Sequence, residues 1–207
     1  TQSYGRPFAL STDTDALVCS TAERYDAVVT ARPGRWRLRA SPVNAEDVGD
    51  PPPALGVLDV GEGDGPVTAP SEGGEALDVA DLDAVERYAG VDGRPDREYR
   101  LSLGRGPRPG SWAIDGGLYP EADWLDVRPN EHVRFVLDNE SEMYHPMHLH
   151  GHFFLSDGVV MDTLPVGPGE TRTLDFYTDN PGRWFFHCHN EYHMASGMAR
   201  VVRYRGG

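Results

Sequence analysis

One stretch constrains this 207-residue chain more than any other: Phe186-His187-Cys188-His189-Asn190-Glu191-Tyr192-His193-Met194-Ala195-Ser196-Gly197-Met198. The run before it, Gly182-Arg183-Trp184-Phe185-Phe186, is glycine-led and aromatic and reads as a buried β-strand. If His187, Cys188 and His189 continue that strand, period-2 alternation sends the two histidines to one face and the cysteine to the other. One strand then serves two sites back to back. Cys188, His193 and Met198 converge on the cysteine's side if the chain turns sharply after His189. A thiolate, an imidazole and a weak thioether are three of the four ligands of a blue-copper site, which takes two histidines, a cysteine and a long axial methionine.

The fourth ligand is available from Tyr144-His145-Pro146-Met147-His148-Leu149-His150-Gly151-His152-Phe153-Phe154. Read as a strand, this stretch puts His148, His150 and His152 on one face, with His145 ahead of Pro146 where the register changes. Zinc also accepts cysteine and histidine, so the donor types alone leave that metal open. The spacing of His189 and His193 lacks the glutamate directly after the first histidine that a zinc protease requires. A cupin-type His-x-His site needs a glutamate at short spacing, and Phe153-Phe154-Leu155 follows instead. His152 is expected to support its neighbours or pack, and His132 to be an ordinary strand histidine.

His145-Pro146-x-His148-Leu149-His150-Gly151-His152, followed by His187-Cys188-His189, His193 and Met198, resembles the carboxy-terminal pair of copper motifs of the multicopper oxidases, the laccase-like enzymes. The resemblance implies that His145, Cys188 and His193 bind type 1 copper with Met198 axial. It implies type 2 copper on His148 and the type 3 pair on His150, His187 and His189. Cys188, His187 and His189 then form the catalytic electron route. Consecutive Cα atoms are about 3.8 Å apart, so a Cys-to-His covalent bridge spans a gap on the order of 10 Å. In such enzymes a small reducing substrate (a phenol, an aromatic amine or a metal ion) gives up single electrons, and dioxygen is reduced to water. Asp162, in Met161-Asp162-Thr163, stands where family members carry an acidic residue, and either orients a ligand or is a plain surface aspartate.

A trinuclear cluster of that family takes eight histidines, and the matching motifs here provide four: His148, His150, His187 and His189. The expectation is therefore a carboxy-terminal part of a longer oxidase, partnered by the amino-terminal half of the same enzyme. Secretion or an extracytoplasmic location is expected with it, the signal lying on that missing half. The alternative is a stand-alone blue-copper electron-transfer or copper-binding module. Such a carrier has no use for the second set of paired histidines.

Composition adds limits. There are 33 acidic against 19 basic residues, a net charge of -14, and every basic residue is arginine. That charge makes nucleic acid and anionic membranes poor partners. An acidic surface without lysine suggests a halophile, since high net charge keeps proteins soluble; a GC-rich genome favouring arginine codons is the alternative. No apolar run approaches the roughly eighteen residues of a membrane span. With Cys188 given to copper, Cys19 is left alone and no intramolecular disulfide is expected. Thr1-Gln2-Ser3-Tyr4-Gly5 carries no signal sequence.

Residues 1–60 read as the closing half of a β domain, with strands over 23–30 and 34–40 joined through Ala31-Arg32-Pro33, and another over 55–60. They resemble the end of a second cupredoxin domain, including the Glu23-Arg24-Tyr25-Asp26 run. Residues 61–96 form an acidic linker, with an amphipathic helix expected over 80–89 from Leu82, Val85 and Ala89. From 97 to 207 a complete β domain is expected, with strands over 97–103, 131–138, 159–162, 171–177 and 198–204 as well as the two motif strands. The fold class is all-β: short strands with turns between them indicate a sandwich, and the resemblance implies a cupredoxin-like Greek-key domain.

Overall fold

The computed structural model describes residues 2–3, 6–7, 14, 16–43, 51–61, 65–69, 76–77, 82 and 88–206. The chain divides into two compact units, one of residues 1–12, 18–26 and 78–207, the other of residues 13–17 and 27–77.

The larger unit is a two-sheet β-sandwich. Its main strands are β1 (Arg97–Arg105), β2 (Trp112–Ile114), β3 (Leu125–Val127), β4 (His132–Asn139), β5 (His145–Leu149), β6 (Phe154–Ser156), β7 (Val159–Met161), β8 (Thr163–Val166), β9 (Thr171–Tyr177), β10 (Arg183–Cys188) and β11 (Ala199–Tyr204). One helical turn, α1 (Glu191–Ala195), interrupts them. The first sheet has the order β2-β1-β4-β9-β6-β7 and the second β3-β11-β10-β5-β8. Neighbours are antiparallel except β1 with β4 and β3 with β11, which are parallel. Alternating residues build the core. Val133, Phe135 and Leu137 of β4 face Leu149, Phe186 and Val202 of the other sheet, all fully buried. Phe135 joins the sheets, its ring 5.2 Å from Phe176 beside it and 5.0 Å from Phe186 across the interior. Fully burying such a side chain stabilises by about 1.5–3 kcal/mol.

Three short strands near the start of the chain also belong to this unit. Tyr25–Asp26 pairs with Gln2–Ser3, which pairs in turn with Arg6–Pro7. The strand expected over 23–30 is thus two residues long, and residues 27–30 are exposed.

The smaller unit is built on Gly34–Ala40, whose antiparallel partner is Ala54–Val60 rather than the segment before Pro33. The Pro51-Pro52-Pro53 run gives that second strand a defined start, and period 2 alone does not choose between two neighbouring partners. Val28, Val29, Leu38, Leu55 and Val57 of this unit are exposed, Val28 at 90% and Leu55 at 64%. The helix expected over 80–89 lies largely outside the described residues; within it, Leu82 is buried. No helix among the described residues is long and apolar enough to cross a membrane.

Candidate metal centre

The sharp turn expected after His189 is α1. Asn190 caps it, its Oδ1 accepting the backbone N–H groups of Tyr192 (3.1 Å) and His193 (3.4 Å), which satisfies donors that a helix start leaves open. One turn later Met198 N–H donates to the His193 carbonyl at 3.0 Å, and Cys188 N–H donates to the Met198 carbonyl at 3.1 Å. The chain therefore folds back on β10, bringing His193 beside Cys188. Gly197 permits this: its φ is +121°, and a Cβ there would stand 3.1 Å from the Trp112 carbonyl and 2.8 Å from Leu118.

Three ligand-type atoms meet at this fold-back. Cys188 Sγ lies 3.7 Å from His145 Nδ1 and 3.6 Å from His193 Nδ1, and the two nitrogens are 3.1 Å apart. The centre of that triangle is about 2.0 Å from each atom, the length of a metal–imidazole bond. His145, Cys188, His193 and Met198 are all buried. The tautomer of His145 suits a ligand. Its Nε2–H donates to Ser141 Oγ at 2.8 Å, and that hydroxyl donates to Asn139 Oδ1 at 2.8 Å, so Nδ1 keeps its lone pair towards the sulfur. Burial holds the His145 pKa down to about 3, with the charges of His193 and Arg105 acting the same way. Burial pushes the Cys188 thiol up to about 12. A buried thiol of that kind ionises when a cation binds it. Trp112 covers the triad, its ring centroid 4.1 Å from that of His193 and 5.1 Å from that of His145.

The other face of the same strand carries the second cluster. His187 points away from Cys188, as period 2 requires, and its Nε2 lies 3.1 Å from His150 Nε2. His148, His150 and His187 offer ligand atoms within 4.8 Å of one another. The His189 ring stands 5.5 Å from His187 and 5.6 Å from His148, at the edge of the group. Backbone carbonyls set two of these rings: His187 Nδ1–H donates to the Cys188 carbonyl and His148 Nδ1–H to the Asp162 carbonyl, both at 2.8 Å. Each bond leaves Nε2 for a metal, which is how neighbouring groups orient metal-binding histidines. Burial, ahead of every other cause, holds the pKa of His187 down to about 4. Neutral imidazoles with convergent lone pairs, and a soft thiolate triad on the opposite face, fit copper in both places.

Other expectations resolve residue by residue. His152 leaves the histidine face because the chain turns at Gly151, whose φ is +70° and whose Cβ would sit 2.5 Å from the Trp184 ring. Both its nitrogens are engaged, Nδ1 by the His150 carbonyl at 3.1 Å and Nε2 by Tyr204 Oη at 2.6 Å. It supports His150 as expected. His132 is the expected strand histidine, bonded to Asp175 at 2.6 Å. Asp162 orients His148, but through its carbonyl. Its carboxylate is held by Arg24 through two bonds of 3.1 Å, joining the Glu23-Arg24-Tyr25-Asp26 run to the second cluster. No sequence pattern points to Ser141, to Trp112 or to Thr163, whose Oγ1 stands 3.1 Å from His148 Nδ1. Asn190 has a legible signal, an N-cap residue directly before an acidic first turn.

Comparison with known proteins agrees with this geometry. The sequence pattern of the family described as multicopper oxidase matches residues 94–207. Multicopper oxidase MmcO of Mycobacterium tuberculosis is 34% identical over 214 residues, covering 99% of this chain and 41% of that protein. Copper resistance protein A of Pseudomonas syringae pv. tomato is 37% identical over 140 residues, 64% of this chain and 23% of its own length. The chain thus spans well under half the length of the curated relatives it matches. In fold it is similar to Fet3p, a multicopper oxidase that functions in iron import (TM-score 0.62, 22% identity, 78% of this chain and 41% of that one). McoA multicopper oxidase from the hyperthermophile Aquifex aeolicus gives a TM-score of 0.59 at 21% identity over 82% of this chain and 40% of its own. The sandwich is the cupredoxin-like one expected, and the chain belongs to the multicopper oxidase family.

Proposed function

We propose that this chain is the carboxy-terminal, copper-binding portion of a laccase-like oxidoreductase that takes single electrons from a small phenolic, aromatic-amine or metal-ion reductant and delivers them to a dioxygen-reducing centre. One observation carries the reading: Cys188 joins His145 and His193 on one face of β10, while its chain neighbours His187 and His189 join His148 and His150 on the other. Copper, when bound, supplies the one-electron chemistry. The protein supplies the rest. His145, Cys188, His193 and Met198 would hold the type 1 metal; His148 would hold type 2, and His150, His187 and His189 would contribute to type 3. The Ser141 and Asp162 contacts set tautomers, and burial of the triad excludes water. The Cys188-His189 and His187-Cys188 peptide links form the shortest covalent route between the two faces. The remaining cluster ligands come from an amino-terminal half, in keeping with the greater length of the relatives. An extracytoplasmic site of action belongs to the proposal and rests on family membership alone.

A stand-alone blue-copper module is the second reading, favoured by the completeness of the type 1 set within residues 145–198. Copper-loaded protein is expected to show the intense visible band of a Cu(II)–thiolate bond, lost in Cys188→Ser. Copper counted per mole at saturating copper separates the readings: a module binds one ion per chain, whereas the oxidase portion takes up further, weakly held copper that is lost in the double variant His150→Ala/His187→Ala. A folded, copper-loaded sample without the band would overturn both.

A further inference from the structure

None of the three atoms of the Cys188 triad reaches solvent; His193 is 1% exposed, and His145 and Cys188 are 0%. An electron from an external donor must therefore cross whatever covers them. The cover with the closest ring contact is Trp112. It is 2% exposed, and its Nε1 has no hydrogen-bond partner among the described residues. An unpaired buried N–H is unfavourable, so ring contact rather than hydrogen bonding accounts for its placement. On its outer side the exposed Arg105 guanidinium lies over the ring, 3.9 Å from the centroid. Arg105 makes no ion pair among the described residues. It is a cation with no paired carboxylate among the described residues, on a chain whose net charge is -14.

We propose that Arg105 and Trp112 form the port through which a small anionic one-electron reductant feeds the His145–Cys188–His193 centre. The inference rests on the type 1 reading given above. The donor docks against the guanidinium where it lies over the Trp112 ring, loses one electron and leaves as its oxidised radical. That electron would be taken up by a copper held by His145, Cys188 and His193, which would pass from Cu(II) to Cu(I). Trp112 undergoes no net redox change; its π-system fills the space between donor and ligand rings that water or aliphatic packing would otherwise occupy. Arg105 draws anions to the one spot where that pathway opens, against a protein field that repels them.

The test is stopped-flow bleaching of the visible band, with ascorbate as the anionic donor and hexaammineruthenium(II) as the cationic one. The reduction potential of each variant is measured so that rates are compared at matched driving force. Arg105→Gln, an exposed change that leaves the core intact, should slow ascorbate by about fivefold at low ionic strength, the effect of one unit charge a few ångströms away across water. It should speed the cation. Both effects should vanish in about 1 M salt, where the Debye length is near 3 Å. Trp112→Leu should slow both donors severalfold while the band persists; Trp112→Phe should do so less. Arg108→Gln serves as the control for general charge. Equal effects at Arg105 and Arg108, no charge dependence at Arg105, or a loss confined to Tyr192→Leu on the neighbouring helix would overturn the proposal. Absence of the band from the wild-type protein would instead remove the type 1 reading beneath it.

Discussion

The Nε2 atoms of His150 and His187 stand 3.1 Å apart, facing each other from two segments of the sandwich. Without a cation between them, one must hand the other a proton or the two lone pairs repel. This arrangement makes the cluster costly to protonate fully and favourable to metallate.

A pH dependence follows for the metal-free protein. The folded pKa values of His187 and His145 are about 4 and 3, against 6.5 for the free side chain. Between pH 6.5 and those values the unfolded chain binds more protons than the folded one, so stability falls as pH falls. The thermal midpoint, followed by circular dichroism, should drop between pH 7 and 5, above the range where most carboxylates titrate. His187→Gln should flatten the slope, and saturating metal should raise the whole curve. A midpoint level across that window would contradict the burial of these rings.

On the type 1 reading proposed above, Met198 would tune the centre rather than build it. A thioether at the axial position donates weak electron density and stabilises Cu(II). Met198→Leu should keep the visible band and raise the reduction potential in a redox titration. An unchanged potential would leave Met198 as a packing residue at the start of β11.

Gly151 decides where His150 and His152 go. Any side chain there meets a φ of +70° and the Trp184 ring. Gly151→Ala should cost about 2 kcal/mol or more, combining left-handed strain with a clash. Urea titration should show the loss, together with weaker metal binding at the four-histidine cluster. A neutral effect would mean that the turn can be made without glycine.

Salt should stabilise the protein. With a net charge of -14, self-repulsion acts over about 30 Å at 0.01 M salt and about 3 Å at 1 M. The thermal midpoint is expected to climb as KCl approaches the molar range. A flat response would leave arginine-favouring codons as the account of the missing lysines.

Oxygen reduction should require a partner segment. Four histidines share the second cluster, about half the ligands of the three coppers in the family, and too few donors leave metal weakly held. Oxygen uptake with a phenolic donor should be negligible for the 207-residue chain and appear when the amino-terminal portion is added. Robust turnover by this chain alone would show that a second copy or other ligands complete the cluster.

Part of this architecture is written in residue order alone. The alternation His187-Cys188-His189 dictates two sites on opposite faces, because side chains in a strand alternate with period two. The breaks at Pro51-Pro52-Pro53 and Pro168-Gly169, and the strands Gly34–Ala40 and Thr171–Tyr177, are likewise local properties of backbone and side chain. What residue order leaves open depends on partners distant along the chain. The same period-2 rule places His148, His150 and His152 together, yet one positive φ at Gly151 and a hydrogen bond from a tyrosine 52 residues away remove His152 from the group. Asp162 acts through a carbonyl that no side-chain pattern reports. Trp112 covers the triad only because β2 pairs with β1 and α1 packs nearby. The identity of the ligands is local chemistry written in residue types; their aim, tautomer and cover are set by hydrogen bonds and packing that exist only once the two sheets close.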